Sequence, residues 1–286
     1  MTHKTIRLAV IQFARDRFKP DKNIRRMKNF LRRVEGADLV CLPEAWVVMK
    51  KIDESDEKEL LAEFGEIAAK NKFTLVTGGI FIAKNSKFNQ KPRTVNLEPR
   101  TLNPKLIKDV CHVIGSDGKL AGTVEKIFPS FPLGERNFCA PGDRLPIFEI
   151  AGAKVGVVIC VDMLYPEICR SIAQRGAELI LNPSNIPESR LNLWHALIQA
   201  RAAENTVYTV FVSNTHTEYP DQRPVRGGSI VVAPWGDIIA TAGSAEKILY
   251  VDIDINQVYE TRKRWRYLDD INEVKISKEG KVKRKK

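Results

Sequence analysis

The chain has 286 residues, 43% of them hydrophobic. That is ordinary for a water-soluble protein and enough for one large domain or two small ones. No apolar run reaches the roughly 18 residues a membrane span needs, and Met1 to Arg7 lack the apolar region of a signal peptide, so a cytoplasmic protein is expected. The net charge of +11 is concentrated in residues 84–108 and 275–286, each with seven Lys/Arg and one Glu, and the remaining chain sums to −1. A near-neutral body with two basic appendages is not a basic nucleic-acid-binding domain. No aromatic residue interleaves with the charges of 275–286 for base stacking, so a solvated tail is the expectation there. Five cysteines without a CxxC pair or Cys/His spacing give neither a disulfide framework nor a metal site.

In chain order, residues 5–12 read as a strand with period-two character and 21–34 as an amphipathic helix whose apolar face holds Ile24, Met27, Phe30, Leu31 and Val34. Residues 37–42 are a continuous apolar strand with Pro43-Glu44 at its end. A helix over 57–70 and a strand over 74–83 follow. Residues 84–108 read as a long surface loop. A hairpin is predicted from 109–114 and 120–125 around Ser116-Asp117-Gly118, with Lys126 directly after it. Residues 128–138 are Pro-rich and irregular. Residues 145–150 and 153–159 form another strand pair, which stops at Cys160. Pro166 then opens a helix to about Arg175. Strands at 178–182 and 207–213 flank a helix over 190–204. A hairpin at 228–240, a last strand at 247–253 and a polar tail complete the chain. Alternating strands and helices with added hairpins make a mixed α/β fold with helices covering sheets. With no linker or repeat visible, residues 1–270 are expected to form one domain and 271–286 a basic tail.

Three residues share one context. Glu44, Lys126 and Cys160 each stand where an apolar strand runs out, so all three can converge on one sheet edge. In α/β proteins the carboxyl edge is where ligands bind. The turn after Cys160 also leaves backbone N–H groups free to face an oxyanion. Taken singly, each residue could merely mark the edge of a core, and Cys160 could be a small buried residue, as Cys41 and Cys169 are expected to be.

Together the three match a pattern. The chain resembles the carbon–nitrogen hydrolases of the nitrilase superfamily in Leu42-Pro43-Glu44, in Glu125-Lys126 with Gly134-Glu135-Arg136, and in Gly156-Val157-Val158-Ile159-Cys160-Val161-Asp162 through Pro166-Glu167. Pro141-Gly142-Asp143, Asn182-Pro183-Ser184 and residues 200–205 add to the likeness, which spans about 5–255. The resemblance implies an α-β-β-α sandwich, a homodimer or higher homo-oligomer packed sandwich to sandwich, no cofactor, and a Glu44–Lys126–Cys160 catalytic set supported by Glu135. It also implies a small-molecule amide or carbamoyl substrate. Val161 replaces the aromatic residue, and Leu164 the arginine, common in the amidase and carbamoylase branches. Ile127-Phe128 replace a usual His-Leu. These departures leave the substrate open and weaken an assignment to dicarboxylic-acid ω-amidases.

The chemistry fits those residue types. Cys160 attacks the carbonyl carbon and Glu44 takes its proton. Lys126 and the Val161 N–H face the oxyanion, and water released through Glu44, with Glu135, frees the acid. Moving a proton from an ordinary thiol to an ordinary glutamate is uphill by about 4 pKa units, roughly 5–6 kcal/mol. Burial of Glu44 and thiolate stabilisation by Lys126 are therefore expected to close the gap, with Lys126 staying protonated between two carboxylates. The competing readings are a Cys–His hydrolase using His195 or His216, a true nitrilase, and a catalytically idle protein binding anions or nucleic acid through its basic segments.

Overall fold

A computed structural model describes residues 5–47, 52–83, 107–277 and 279–284. Strand β1 (Thr5–Ala14) is followed by helix α1 (Pro20–Arg32), β2 (Leu39–Cys41), α2 (Glu54–Asn71), β3 (Thr74–Val76), β4 (Ile80–Ala83), β5 (Ile107–Ile114) and β6 (Leu120–Glu125). The second half runs β7 (Ile147–Ile150), β8 (Ala153–Val157), α3 (Pro166–Gln174), β9 (Leu179–Ser184), α4 (Leu191–Asn205) and β10 (Tyr208–Thr215). Two short strands β11 (Thr217–Glu218) and β12 (Pro224–Val225) pair with each other. Strands β13 (Ile230–Val232), β14 (Ile238–Thr241) and β15 (Lys247–Asp254), helices α5 (Asn256–Arg264) and α6 (Tyr267–Asn272), and a hairpin of β16 (Val274–Ile276) and β17 (Val282–Arg284) end the chain.

Thirteen strands form two sheets joined at one seam. In the first, β2 lies parallel to β1 and β3, β15 runs antiparallel to β1 along its length, and β5 holds β3, β4 and β6. In the second, β8, β9 and β10 are parallel, edged by β7 on one side and by β13 and β14 on the other. The seam is the parallel pairing of Phe13 with Asn214 and Ala14 with Thr215, at the carboxyl ends of β1 and β10.

Period-two patterning sorts the side chains into layers. From β1, Ile6, Leu8 and Val10 join the larger core shared with the second sheet, α3 and α4, while Ala9, Ile11 and Phe13 join a separate core with Met27 and Leu31 of α1 and Phe64 of α2. The layers are therefore helix, sheet, sheet, helix: the expected α-β-β-α sandwich. Gly156 is needed at one contact between layers, because a Cβ there would lie 2.4 Å from Cγ2 of Ile172 on α3. Cys41 and Cys169 are fully buried core residues.

Three boundaries differ from the sequence reading for local reasons. Helix α2 begins at Glu54 because Asp53 caps it, accepting from the N–H groups of Ser55 and Asp56 at 2.9 Å each. The strand expected over 74–83 is broken at Gly78, whose φ of +71° turns the chain beneath Pro43. The polar tail expected after residue 253 instead folds as α5, α6 and the β16–β17 hairpin. Ile255, Val258 and Leu268 anchor it to the larger core. Residues 84–106, most of the basic loop, lie outside the described residues.

Candidate active site

Cys160 sits past the end of β8. Val158 still bonds into the sheet, its N–H donating to Leu181 at 2.8 Å. The chain then turns through Cys160 at φ +44° into a short 3-10 turn, Cys160–Leu164, before α3. A left-handed conformation at a non-glycine residue costs on the order of 1–3 kcal/mol and persists only where surroundings impose it. Asn182 of β9 helps impose it here. Its side-chain N–H donates to the carbonyls of Val158 at 2.7 Å and Cys160 at 3.2 Å. Its own Oδ1 accepts from Ser184 Oγ at 2.8 Å and Trp194 Nε1 at 3.0 Å.

Glu44 follows β2 in a turn bound from several elements. Its N–H donates to the Ser184 carbonyl at 3.3 Å, and its carbonyl accepts from Asn214 Nδ2 at 2.7 Å. The next residue, Ala45 at φ +51°, donates to the Gly79 carbonyl at 2.8 Å and accepts from Arg15 Nη1 at 2.6 Å. The backbone of Glu44 is thus fixed from both sheets.

Lys126 follows β6 and is 1% exposed. Its Nζ lies 2.7 Å from Glu44 Oε1, 2.8 Å from Glu135 Oε2 and 3.3 Å from Asp109 Oδ2. Gly142, in the turn at 141–143, donates its N–H to the Lys126 carbonyl at 2.8 Å and has no room for a Cβ, which would meet Glu125 at 2.8 Å. Glu135 comes from a 3-10 turn, Glu135–Asn137, and also accepts from the Ser130 N–H at 2.6 Å. Asp162 links the two halves: its carboxylate takes the N–H groups of Ile127 and Phe128, each at 2.8 Å, so the residues after Lys126 are clamped to the turn of Cys160.

The electrostatics follow from this packing. Burial alone would lower the Lys126 pKa, but Glu44, Asp109 and Glu135 together hold it well above its ordinary value, so the ammonium stays charged. Burial pushes the Cys160 thiol up, and the hydrogen-bonded Glu44 carboxylate pushes it further. Lys126 and the Asn185 N–H oppose this without reversing it. The resting group is a thiol with the Glu44 carboxylate within hydrogen-bonding reach. The stabilisation of the thiolate by Lys126 acts in the expected direction but is outweighed by burial and by the Glu44 carboxylate. Burial likewise raises Asp162, to about 7, against the two backbone N–H groups that favour its ionised form.

The structure therefore brings Glu44, Lys126, Glu135 and Cys160 together, with Val161, half-buried, next in the nucleophile turn. His195 is elsewhere engaged, its Nε2 2.7 Å from the Gly228 carbonyl and its ring edge-on to Phe211. His216, at φ +45°, lines a separate cavity of about 580 Å³ with Arg15, Arg17, Lys22, Arg26 and Arg226. Sequence reasoning missed Asp109 and Asn185. Asp109 carried a signal, since it is in phase with the inward-facing Cys111 and Val113 on β5. Asn185 carried none. It is tied by Asn214 Nδ2 to its Oδ1 at 3.0 Å and by the Tyr219 hydroxyl to its carbonyl.

A layered sandwich presenting a cysteine at a strained turn, against a carboxylate bonded to a buried lysine, defines a class of thiol hydrolase. The carbon-nitrogen hydrolase family model matches residues 7–263, and the chain belongs to that family. It is 30% identical over 277 residues to the human omega-amidase NIT2, covering 91% of this chain and 92% of that one. It is 25% identical over 271 residues to the 2-oxoglutaramate amidase of Bacillus subtilis, with 92% and 96% covered. Among solved structures it superimposes on Saccharomyces cerevisiae Nit3, a member of the nitrilase superfamily, with a TM-score of 0.76 at 25% identity over 92% of this chain and 94% of that one. A carbon-nitrogen hydrolase of Helicobacter pylori gives a TM-score of 0.77 at 25% identity over 94% and 95%. The protein is an enzyme that hydrolyses carbon–nitrogen bonds.

Proposed function

We propose that the enzyme hydrolyses the amide of a small molecule through a thioester on Cys160. The observation that carries this is the Glu44 carboxylate, which contacts both the Lys126 ammonium, at 2.7 Å, and the Cys160 thiol. One group can then accept the thiol proton as sulfur attacks the carbonyl and return it to departing ammonia. The developing oxyanion is stabilised by the Lys126 ammonium and the Val161 N–H. Water then attacks the thioester with Glu44 again as base, Glu135 steadying the ammonium. Because the resting sulfur is a thiol, proton transfer accompanies attack and does not precede it. Intact-protein mass spectrometry after mixing with a panel of amides and ureido acids tests this. An acyl adduct on the wild type, absent from Cys160→Ala, is expected. Turnover by Cys160→Ala sinks the reading.

Two observations favour an amide with an anionic far end. The relatives include proteins named omega-amidase and 2-oxoglutaramate amidase. Arg15 is buried, its pKa lowered by burial to about 10, and it has no carboxylate partner within ion-pair distance among the described residues. It joins the Glu44 turn to the basic cavity, and so offers a cation in place of the arginine missing at Leu164. On this reading Arg15→Met raises KM for a dicarboxylic acid monoamide while sparing an uncharged aliphatic amide. An equal rise for both excludes it. The resemblance also supports a homodimer, which sedimentation of the purified chain tests, and cell fractionation tests the cytoplasmic location expected from the sequence.

A further inference from the structure

Asp109 is a buried carboxyl that the reaction as described does not use. It projects from β5, opposite Phe81 of β4, and its carbonyl accepts the Lys126 N–H at 3.0 Å. Three carboxyl groups thus converge on a single ammonium, and these buried groups would carry a net charge of −2 if all were ionised. Like charges this close do not all ionise in a dry site. The three are unequally served. Glu44 has Lys126 at 2.7 Å, and Glu135 has Lys126 at 2.8 Å plus the Ser130 N–H at 2.6 Å. Asp109 has only the longest lysine contact, 3.3 Å, with a fully buried side chain, and neither of its oxygens accepts a hydrogen bond from any described group.

Glu44 is also within hydrogen-bonding reach of Asp109 and raises its pKa. Between two carboxyl groups such a contact is a hydrogen bond only when one of them carries a proton. The pair is accommodated at Gly79, where a Cβ would lie 2.5 Å from Asp109 Oδ1 and 3.1 Å from Glu44 Cγ. The other groups facing Asp109 are the Cys111 and Cys139 thiols, both raised by burial first of all and so kept neutral. Neither supplies a positive charge.

We infer that Asp109 holds a proton at neutral pH and donates it as a hydrogen bond to Glu44. It is a positioning residue: it fixes the orientation of the Glu44 carboxyl group, the proposed base. This rests on the catalytic reading of Glu44, but its test does not use turnover.

The folded state then carries one proton more than the unfolded chain, in which Asp109 ionises at its ordinary pKa. Wild-type stability therefore falls as pH rises above that value, until Asp109 ionises in the folded protein too. Asp109→Asn keeps a neutral donor and removes the penalty. Its folded-to-unfolded ratio relative to wild type should grow by up to about tenfold per pH unit through the neutral range. A ratio independent of pH overturns the inference. Infrared spectra at about pH 8, above the Asp162 titration near 7, give a second measurement that needs no stable variant. A protonated-carboxyl band is expected in wild type, Cys160→Ala and Glu135→Gln, and it should be missing from Asp109→Asn. No such band in the wild type, or one that survives Asp109→Asn, overturns the assignment. Cys160→Ala separates the two claims: its turnover tests the nucleophile, and its infrared band tests Asp109.

Discussion

The two walls of the candidate active site are built on opposite plans. The wall from the first sheet is ionic: Glu44, Asp109, Lys126 and Glu135 form one buried cluster in which each charge exists because another is beside it. The wall from the second sheet is neutral: a strained cysteine is held by the Asn182 side-chain amide, which donates to the carbonyls of Val158 and Cys160, and by the backbone N–H of Asn185 at its sulfur. Asp162 reaches from the neutral wall to bind the ionic one. On the mechanism proposed above, charge is used where protons move and where the oxyanion forms, and neutral hydrogen bonds where a fixed backbone angle is needed. A neutral clamp does not perturb the proton inventory of the facing wall.

That contrast can be broken at graded cost. The largest effect is expected from Cys160→Ala, which should lower kcat by at least about 10⁴-fold while leaving the thermal midpoint near wild type, since the thiol contributes little packing. Glu44→Gln comes next, with a loss of about 10²- to 10⁴-fold in the rate of acylation, measured by single-turnover mass spectrometry. Lys126→Met should be the most costly to folding. Removing the single cation leaves buried carboxyls unpaired, a destabilisation of about 3–5 kcal/mol read from chemical denaturation.

Asp162→Asn is a milder break, because the amide replaces one of two accepting oxygens and leaves one N–H of Ile127 or Phe128 unmet, costing about 1–3 kcal/mol. It also carries a pH signature. The Asp162 pKa is raised to about 7, so the folded state holds this proton between the unfolded value near 4 and about 7. Stability contributed by this group falls as pH rises through that window and is level above it. Asp162→Asn should remove this slope. The smallest effect belongs to His195→Ala. It should cost about 1 kcal/mol for the lost bond to Gly228 and leave acylation of Cys160 in the wild-type range. Loss of acylation would revive a cysteine–histidine mechanism.

How much was legible in the sequence depended on position. Glu44, Lys126 and Cys160 could be read because each ends an apolar strand, where a change of residue type is itself a signal. Asp109 could not be read that way, because it lies within a strand whose neighbours Lys108 and His112 also interrupt the apolar pattern. Those two occupy the opposite row, His112 meeting Glu57 of α2 at 2.7 Å. Only the phase of Asp109 with Cys111 and Val113 tells the rows apart. The alternation of elements pointed to a mixed α/β fold and the family resemblance implied the sandwich, but α5 escaped notice because Val258 and Thr261 are its only buried residues, too few for a visible period. The break at residues 77–79 was marked by Gly78-Gly79, yet what requires it, the Pro43 carbonyl, is distant in sequence. The expected pull of Lys126 on the sulfur set two carboxylates beside that lysine and missed the third carboxyl, Asp109, which only the fold brings to it.

A sulfur kept as its conjugate acid also has a bearing on survival. Peroxides and electrophiles attack thiolates far faster than thiols, so susceptibility to oxidation tracks how much of the sulfur is ionised. Cys160 is buried, and its ionisation is opposed by the carboxylate beside it. On the mechanism proposed above, it is thereby protected from oxidative damage between catalytic cycles, and its nucleophilicity emerges only when a carbonyl arrives to accept the electron pair.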